Sequence, residues 1–255
     1  MIKTTNYSHK TENGIKHNTK IEYYPLVNYQ KTTVCNKSIF KDEGWESIDK
    51  EFKEKIPKPK NMENEVRNDS VNRAKKNIVN IAMLNQFSYF ITWTLDKEKI
   101  NRFDKLEISK KLKNYLNNML KRGHIEKYLI IPEYHKDGAI HMHGLIKGNI
   151  KIVDSSKKTK DGKPIYNMPQ WKLGYSTAIE LDEHIDRVAK YITKYVTKDF
   201  KKIFGSFYYA GGKELIRKPC ISLCDTNYDD VNSLEIFAPA ESGLSFKYIN
   251  QLLSI

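Results

Sequence analysis

Residues 131–144 read IPEYHKDGAIHMHG, two apolar segments joined by a short polar turn. Residues 136–138 suit a three-residue hairpin loop, in which a type I turn ends in a residue with positive φ. Gly138 adopts that conformation without steric cost. Closure of the loop by its two neighbours would pair strands at about 127–135 and 139–146. The turn therefore predicts a β-hairpin and fixes its register.

This register would bring potential metal ligands onto one face of the hairpin. It places Glu133 opposite His141, and His143 shares their face because side chains alternate along a strand. Two imidazoles and a carboxylate can hold a divalent cation and leave positions open for substrate oxygens. An isolated His-x-His pair is more often two partly exposed strand residues, but the in-register glutamate and the tight turn favour a metal site. His135, at the turn, is a fourth candidate ligand.

Hydrophobic periodicity predicts the elements around the hairpin. They are helices at about 63–84, 108–121, 183–199 and 246–253, and strands at about 87–95 and 207–210. An irregular basic stretch runs from the hairpin through Lys163. The order strand, helix, strand, strand, helix, strand predicts an α+β fold with a ferredoxin-like or RRM-like central antiparallel sheet and flanking helices.

The beginning of the chain differs in composition from the rest. Residues 1–60 are polar, rich in Lys, Asn and Thr, and end in a Pro-spaced basic run that is typical of an extended linker. We expect a basic, partly disordered N-terminal arm over residues 1–60. One folded domain would then cover residues 61–255.

The charge balance points to a polyanionic partner. The 255 residues include 44 Lys and Arg against 31 Asp and Glu, with a net charge of +13 and a pI near 9.4. No apolar run approaches the roughly 20 residues of a spanning helix, and a signal peptide is not evident, so we expect a cytoplasmic protein that binds nucleic acid and no membrane. Candidate DNA contacts are Arg73, Lys75, Lys76 and Lys190, although a solvated surface accounts for the first three equally well.

A second motif, KYITKYVTK, occupies residues 190–198. Tyr191 and Tyr195 are four residues apart, so on a helix they project from one face, and Lys194 and Lys198 follow each of them by three residues. Taken alone, an amphipathic helix that buries tyrosine rings beside solvated lysines explains this pattern. A phenol with a pKa near 10 becomes a useful nucleophile only beside positive charge and a polarised phosphate.

Three motifs together resemble those of HUH endonucleases: FITWT at residues 90–94, HMH at 141–143 and the Tyr-x-x-Lys repeat at 191–198. The resemblance spans about residues 73–218. It is closest to two-tyrosine replication initiators, or Rep proteins, of small single-stranded DNA phages and rolling-circle plasmids. In two respects the chain departs from the family: Trp93 stands where a smaller apolar residue is more usual, and the arm has no counterpart.

The resemblance implies both a fold and a mechanism. The domain would have the HUH endonuclease fold, with Mg²⁺ or Mn²⁺ held by Glu133, His141 and His143. A tyrosine would cut single-stranded DNA or an origin hairpin, leaving a 5′-phosphotyrosine and a 3′-hydroxyl, and later religate it, with the lysines of the repeat stabilising charge. The sequence does not fix which tyrosine attacks first, with Tyr195 slightly favoured.

The resemblance also implies partners and a setting, a bacterial host cell. Because the sequence has no GxxxxGK[ST] phosphate loop, we expect a separate host helicase and polymerase. Three other functions stay open. They are an HUH single-strand transposase, a mobilisation relaxase, whose HUH motif usually carries a third histidine and lies C-terminal to its tyrosines, and a non-catalytic nucleic-acid-binding module.

Overall fold

The computed structural model describes residues 15–41, 68–182, 185–197, 202–238 and 242–253. The chain divides into two compact units, Asn64–Lys218 and the combination of Met1–Glu63 with Pro219–Ile255. None of the helices in the described ranges is long and apolar enough to cross a membrane.

The helices are α1 (Asn68–Leu84), α2 (Lys105–Lys121), α3 (Ile185–Ile192) and α4 (Lys194–Thr197). The strands are β1 (Lys16–His17), β2 (Thr19–Tyr24), β3 (Tyr29–Cys35), β4 (Phe40–Lys41), β5 (Tyr89–Leu95), β6 (Lys127–Tyr134), β7 (Ile140–Lys147), β8 (Val153–Lys158), β9 (Pro164–Asn167), β10 (Gly174–Glu180), β11 (Tyr209–Gly212), β12 (Cys220–Cys224), β13 (Glu235–Phe237) and β14 (Ser245–Leu252).

The unit Asn64–Lys218 contains a seven-stranded sheet in the order β11-β6-β7-β5-β10-β9-β8. Its strand pairings are antiparallel. The expected α+β class, with a central antiparallel sheet and flanking helices, is confirmed.

One face of this sheet carries the hydrophobic core. In β5 the alternate residues Ile91, Trp93 and Leu95 are buried, and α2 buries a stripe of residues spaced by about one turn, Ile108, Leu112, Leu116 and Met119. Helix α2 begins after Asp104, whose carboxylate accepts hydrogen bonds from the backbone of Leu106 and Glu107.

The unusual tryptophan of β5 belongs to this core. The ring of Trp93 stacks on that of Trp171 with centroids 4.7 Å apart, and Tyr115 of α2 packs edge-on against both rings. An aromatic stack of this size fills the space between the sheet and α2. Trp93 therefore strengthens the strand packing instead of disturbing it.

The opposite face of the sheet, called here the site face, is only partly covered by helices. Helices α1 and α4 contact β6, and α1 also packs against α3. The residues of β5 on this face, Phe90, Thr92 and Thr94, are half-buried, whereas Tyr175 and Thr177 of β10 are exposed. The site face is thus covered near β6 and open over β10.

The other unit combines both ends of the described chain. A five-stranded antiparallel sheet has the order β12-β2-β3-β14-β13, and β1 pairs with β4. Strands β2 and β3 lie within residues 1–60, where the sequence analysis placed an extended arm, and β12 to β14 lie within the expected single domain 61–255. The structure therefore divides the chain differently, because the two terminal segments pair with each other.

Three further expectations change. The predicted terminal helix at 246–253 is wrong, because this segment forms strand β14 and pairs with β3. The basic stretch expected to be irregular contains the hairpin of β8 and β9. The helix predicted at 183–199 is divided at Thr193 into α3 and α4.

Replacing Trp93 with alanine should lower the free energy of unfolding by about 3–5 kcal/mol, because the ring is fully buried and stacked. Tyr175→Ala, on the neighbouring strand but 70% exposed, is the matched control and should change it by less than about 0.5 kcal/mol. Urea denaturation followed by circular dichroism measures both. Equal effects of the two substitutions would contradict the assignment of Trp93 to the core.

Candidate active site

The turn between β6 and β7 has the predicted geometry. The backbone N–H of His135 donates to Ala139 O at 2.8 Å, and that of Gly138 donates to His135 O at 2.9 Å. Gly138 has a φ of 81°, in the region that favours glycine. The carboxylate of Asp137 accepts from Ala139 N at 3.0 Å, and this bond is the main reason that the pKa of Asp137 is lowered.

The turn sets the predicted register. Glu133 stands directly opposite His141, and His143 opposite Ile131. On the site face, Glu133 Oε2 lies 2.9 Å from His143 Nε2, and the Glu133 side chain is only 7% exposed. A buried carboxylate is therefore paired with an imidazole, which is the condition for keeping its charge away from water.

Two threonines of β5 contact the other ring nitrogen of each histidine. Thr92 stands opposite His143 and Thr94 opposite His141. The Oγ1–Nδ1 distances are 3.1 Å for Thr92 and His143 and 3.4 Å for Thr94 and His141. A hydroxyl can donate or accept, so each threonine can pair with either tautomer of its histidine. These contacts turn Nε2 of His143 towards Glu133.

His141 has a second aromatic neighbour. Its ring stacks on that of His135 with centroids 4.7 Å apart, and Nδ1 of His135 lies 3.1 Å from Asp137 Oδ1. Burial lowers the pKa of His141, and the charge of His135 lowers it further. The ring is therefore held in the neutral form that metal ligation requires.

The donor set can be compared with the needs of a divalent cation. Adjacent ligands of an octahedral Mg²⁺ with bonds of about 2.1 Å are about 3 Å apart. The 2.9 Å between Glu133 Oε2 and His143 Nε2 matches this spacing. Within the described part of the chain, no three His, Cys, Asp or Glu side chains surround a single point, because the ring of His141 packs on His135. Two ligands of the predicted three thus have a fitting geometry.

The two tyrosines reach the same cluster from α3 and α4. The ring of Tyr195 stacks on that of His143 with centroids 3.8 Å apart and nearly parallel planes, 9° from one another. The ring of Tyr191 packs edge-on against Phe90, and the Tyr195 hydroxyl donates to the Tyr191 hydroxyl at 2.9 Å. Both phenols therefore lie beside the Glu133–His143 pair.

The environments of the two phenols differ. Burial raises the pKa of Tyr195, the hydrogen bond to Tyr191 raises it further, and the charge of Glu133 adds to the effect. Tyr191 is 46% exposed, and Lys194 Nζ lies 5.1 Å from the centroid of its ring. The cation thus accompanies Tyr191, the more accessible of the two phenols.

The remaining predicted residues are not brought into this cluster by any described contact. On α1, Arg73 and Lys76 are exposed and Lys75 is half-buried. Lys190 belongs to α3, and Lys198 lies outside the described residues. The role of these four lysines and arginine in DNA binding or catalysis stays a prediction.

The sequence analysis named the β5 motif but assigned no role to its side chains. Thr92 and Thr94 orient the histidines, and Phe90 supports the ring of Tyr191. The signal for this arrangement was the alternation in FITWT, which places both hydroxyls on the face opposite Trp93.

Comparison with known proteins identifies one similarity. Residues 88–200 match a family model of replication-associated proteins, those of the ORF2 and gene-2-protein type. The match covers less than half of the chain, yet it runs from β5 to α4 and includes the whole cluster. No curated protein and no solved structure matches the chain.

Changing Thr92 to valine should lower the free energy of unfolding by about 0.5–1.5 kcal/mol, since the new side chain keeps the shape but loses the hydroxyl beside His143 Nδ1. Thr177→Val, at the exposed position opposite Thr92 on β10, should leave it nearly unchanged. Urea denaturation, together with the ¹⁵N shifts of the His143 ring, compares the two. Identical denaturation midpoints and ring shifts would mean that the hydroxyl does not pair with the imidazole.

Proposed function

We propose that this chain is a rolling-circle replication initiator that cuts and rejoins single-stranded DNA through a tyrosine. The observation that carries the proposal is the stack of Tyr195 on His143, which itself contacts Glu133. A potential nucleophile and a potential cation site are thereby adjacent. The similarity of residues 88–200 to replication-associated proteins supports a role in replication.

Glu133, His143 and His141 would hold Mg²⁺ or Mn²⁺. The bound ion would polarise the scissile phosphate and neutralise charge that develops on it. Thr92 would then accept a hydrogen bond from Nδ1–H of His143, which leaves the lone pair of Nε2 for ligation. The same hydroxyl can donate to Nδ1 when Nε2 carries the proton, so the contact with Thr92 suits both forms.

In the proposed reaction, a phenol oxygen forms a bond to phosphorus while the bond from phosphorus to the 3′ oxygen breaks. The phenol gives up its proton and the departing 3′ oxygen gains one. One phosphodiester is exchanged for another, so the reverse reaction joins the strands without ATP. The free 3′-hydroxyl would prime a host polymerase, while a separate host helicase opens the duplex.

We propose that Tyr191 attacks first, although the sequence slightly favoured Tyr195. A phenolate is stabilised when its oxygen accepts a hydrogen bond, and the Tyr191 oxygen accepts one from Tyr195. The donor gains no such help, and burial further raises the pKa of Tyr195. Tyr191 is also the more exposed phenol and is accompanied by Lys194.

Glu133→Gln should weaken Mn²⁺ binding at least about tenfold and abolish cutting, because the amide keeps the shape of the carboxylate but not its charge. Glu180→Gln, at an exposed position of β10, is the matched control and should bind and cut like the wild type. Calorimetry with Mn²⁺ measures binding. Denaturing gels of single-stranded oligonucleotides tiled across the replicon that encodes the chain measure cutting.

Two results would refute this part of the proposal. One is cutting by Glu133→Gln at the wild-type rate in Mn²⁺. The other is the failure of the wild type to cut any of the tiled oligonucleotides, which would favour a non-catalytic nucleic-acid-binding module.

Tyr191→Phe should prevent the first covalent DNA adduct, whereas Tyr195→Phe should still form it. Each substitution removes one hydroxyl and keeps the ring, so the packing on Phe90 and His143 is retained. The double variant should form no adduct. Detergent-stable adducts on gels, followed by peptide mass mapping, identify the nucleophile. An adduct mapped to Tyr195 in the wild type would reverse the order, and one mapped outside both tyrosines would refute the assignment.

A further inference from the structure

The open part of the site face forms a continuous surface next to the cluster. Tyr175 of β10 stands opposite Thr94 of β5, which stands opposite His141 of β7, which stands opposite Glu133 of β6. These four residues form one row across the sheet. Tyr175 is 70% exposed at the open end of this row.

The exposure of Tyr175 is not a consequence of a generally loose strand. Its neighbours in β10 alternate, with Ser176 and Ala178 buried on the core face and Thr177 exposed beside Tyr175 on the site face. The strand is therefore well packed on one side and bare on the other. A large aromatic ring on the bare side leaves apolar surface in water, which is a cost without a ligand.

The strands beyond β10 continue this surface with polar and basic residues. Tyr166 of β9 pairs with Ala178 of the core face, so its neighbour Asn167 lies on the site face. Lys157 of β8 stands opposite Ile165, which also lies on the site face, and both Asn167 and Lys157 are exposed.

The segment that contains this hairpin is strongly basic. Residues 151–172 include six lysines and two aspartates. Of these, Lys163 is paired with Asp182 at 2.6 Å. The positive charge favours a polyanion on the same side of the site as Tyr175.

We propose that Tyr175 is a stacking platform for a base of the substrate strand, and that the strand continues over Lys157 of the β8–β9 hairpin. The inference rests on the proposed function and adds the place where single-stranded DNA binds. An exposed aromatic ring beside lysines is the combination that binds single strands without reading their sequence. Duplex DNA offers no unstacked base to such a ring.

The spacing places this base close to the cut. Neighbouring strands are about 4.8 Å apart, so Tyr175 is about 10 Å from His141 across two strand spacings. With about 3.4 Å for each stacked nucleotide, this distance corresponds to two or three nucleotides. The base held by Tyr175 is therefore within three nucleotides of the scissile phosphate.

The test measures binding separately from cutting. The full chain is titrated, in EDTA and low salt, into fluorescein-labelled oligo(dT), and anisotropy gives the Kd. Tyr175→Ala should weaken binding about 5- to 150-fold, the loss expected for one stacked base, whereas Tyr175→Phe and Tyr175→Trp should stay within about twofold of the wild type. Phe237→Ala, at a similarly exposed aromatic outside this sheet, is the matched control and should have no effect.

A second measurement locates the contact. Oligonucleotides that carry 5-iododeoxyuridine at successive positions on either side of the mapped cut are irradiated with the full chain, and the cross-linked peptide is identified by mass. Cross-linking to Tyr175 from a position within three nucleotides of the cut supports the proposal. Lys157→Ala should reduce the dependence of binding on salt by about one phosphate contact.

The outcomes separate the two proposals. If the wild type cuts DNA but Tyr175→Ala binds oligo(dT) as tightly as the wild type, the platform is refuted and the proposed function stands. If no cutting is found but the Tyr175 series behaves as expected, the platform stands and the proposed function fails. Equal losses for oligo(dT) and for duplex DNA in Tyr175→Ala would refute stacking.

Discussion

The register of the β6–β7 hairpin is the constraint on which the candidate site depends. Because side chains alternate, a shift of one residue would move Glu133 to the core face and leave His141 and His143 without a carboxylate. The three-residue turn prevents this shift through the positive φ of Gly138 and the hydrogen bonds that the Asp137 carboxylate accepts. A backbone feature outside the cluster thus determines its chemistry.

The same alternation lets one strand serve two purposes. In β5, Trp93 packs in the core while Thr92 and Thr94 contact the histidines from the other side. The buried tryptophan stack holds the strand in position, and the hydroxyls transmit that position to the imidazole rings. Orientation of the histidines is therefore coupled to packing of the core, since neither face of β5 can move alone.

The sequence predicted local features well because they depend on neighbours along the chain. The hairpin turn, the alternation in β5 and the spacing of Tyr191 and Tyr195 all belong to this class. The segment 246–253 was predicted as a helix because its apolar residues are spaced like a helical stripe, but pairing with β3 prevails. That partner lies more than 200 residues earlier, and no local pattern announces such a pairing. The β8–β9 hairpin was missed because its strands are rich in lysine and poor in apolar residues.

Contacts within the cluster were also beyond the sequence. Helical spacing placed both phenols on one face, but the stack of Tyr195 on His143 and the bond from Tyr195 to Tyr191 follow from how α4 meets the sheet. These contacts make two chemically identical residues unequal. The buried phenol becomes a hydrogen-bond donor and the exposed one an acceptor, so a repeat that is symmetrical in sequence becomes asymmetrical in reactivity. Helices over β6 and bare strands over β10 continue this asymmetry across the site face, and a DNA strand can therefore approach the exposed phenol only from the open side.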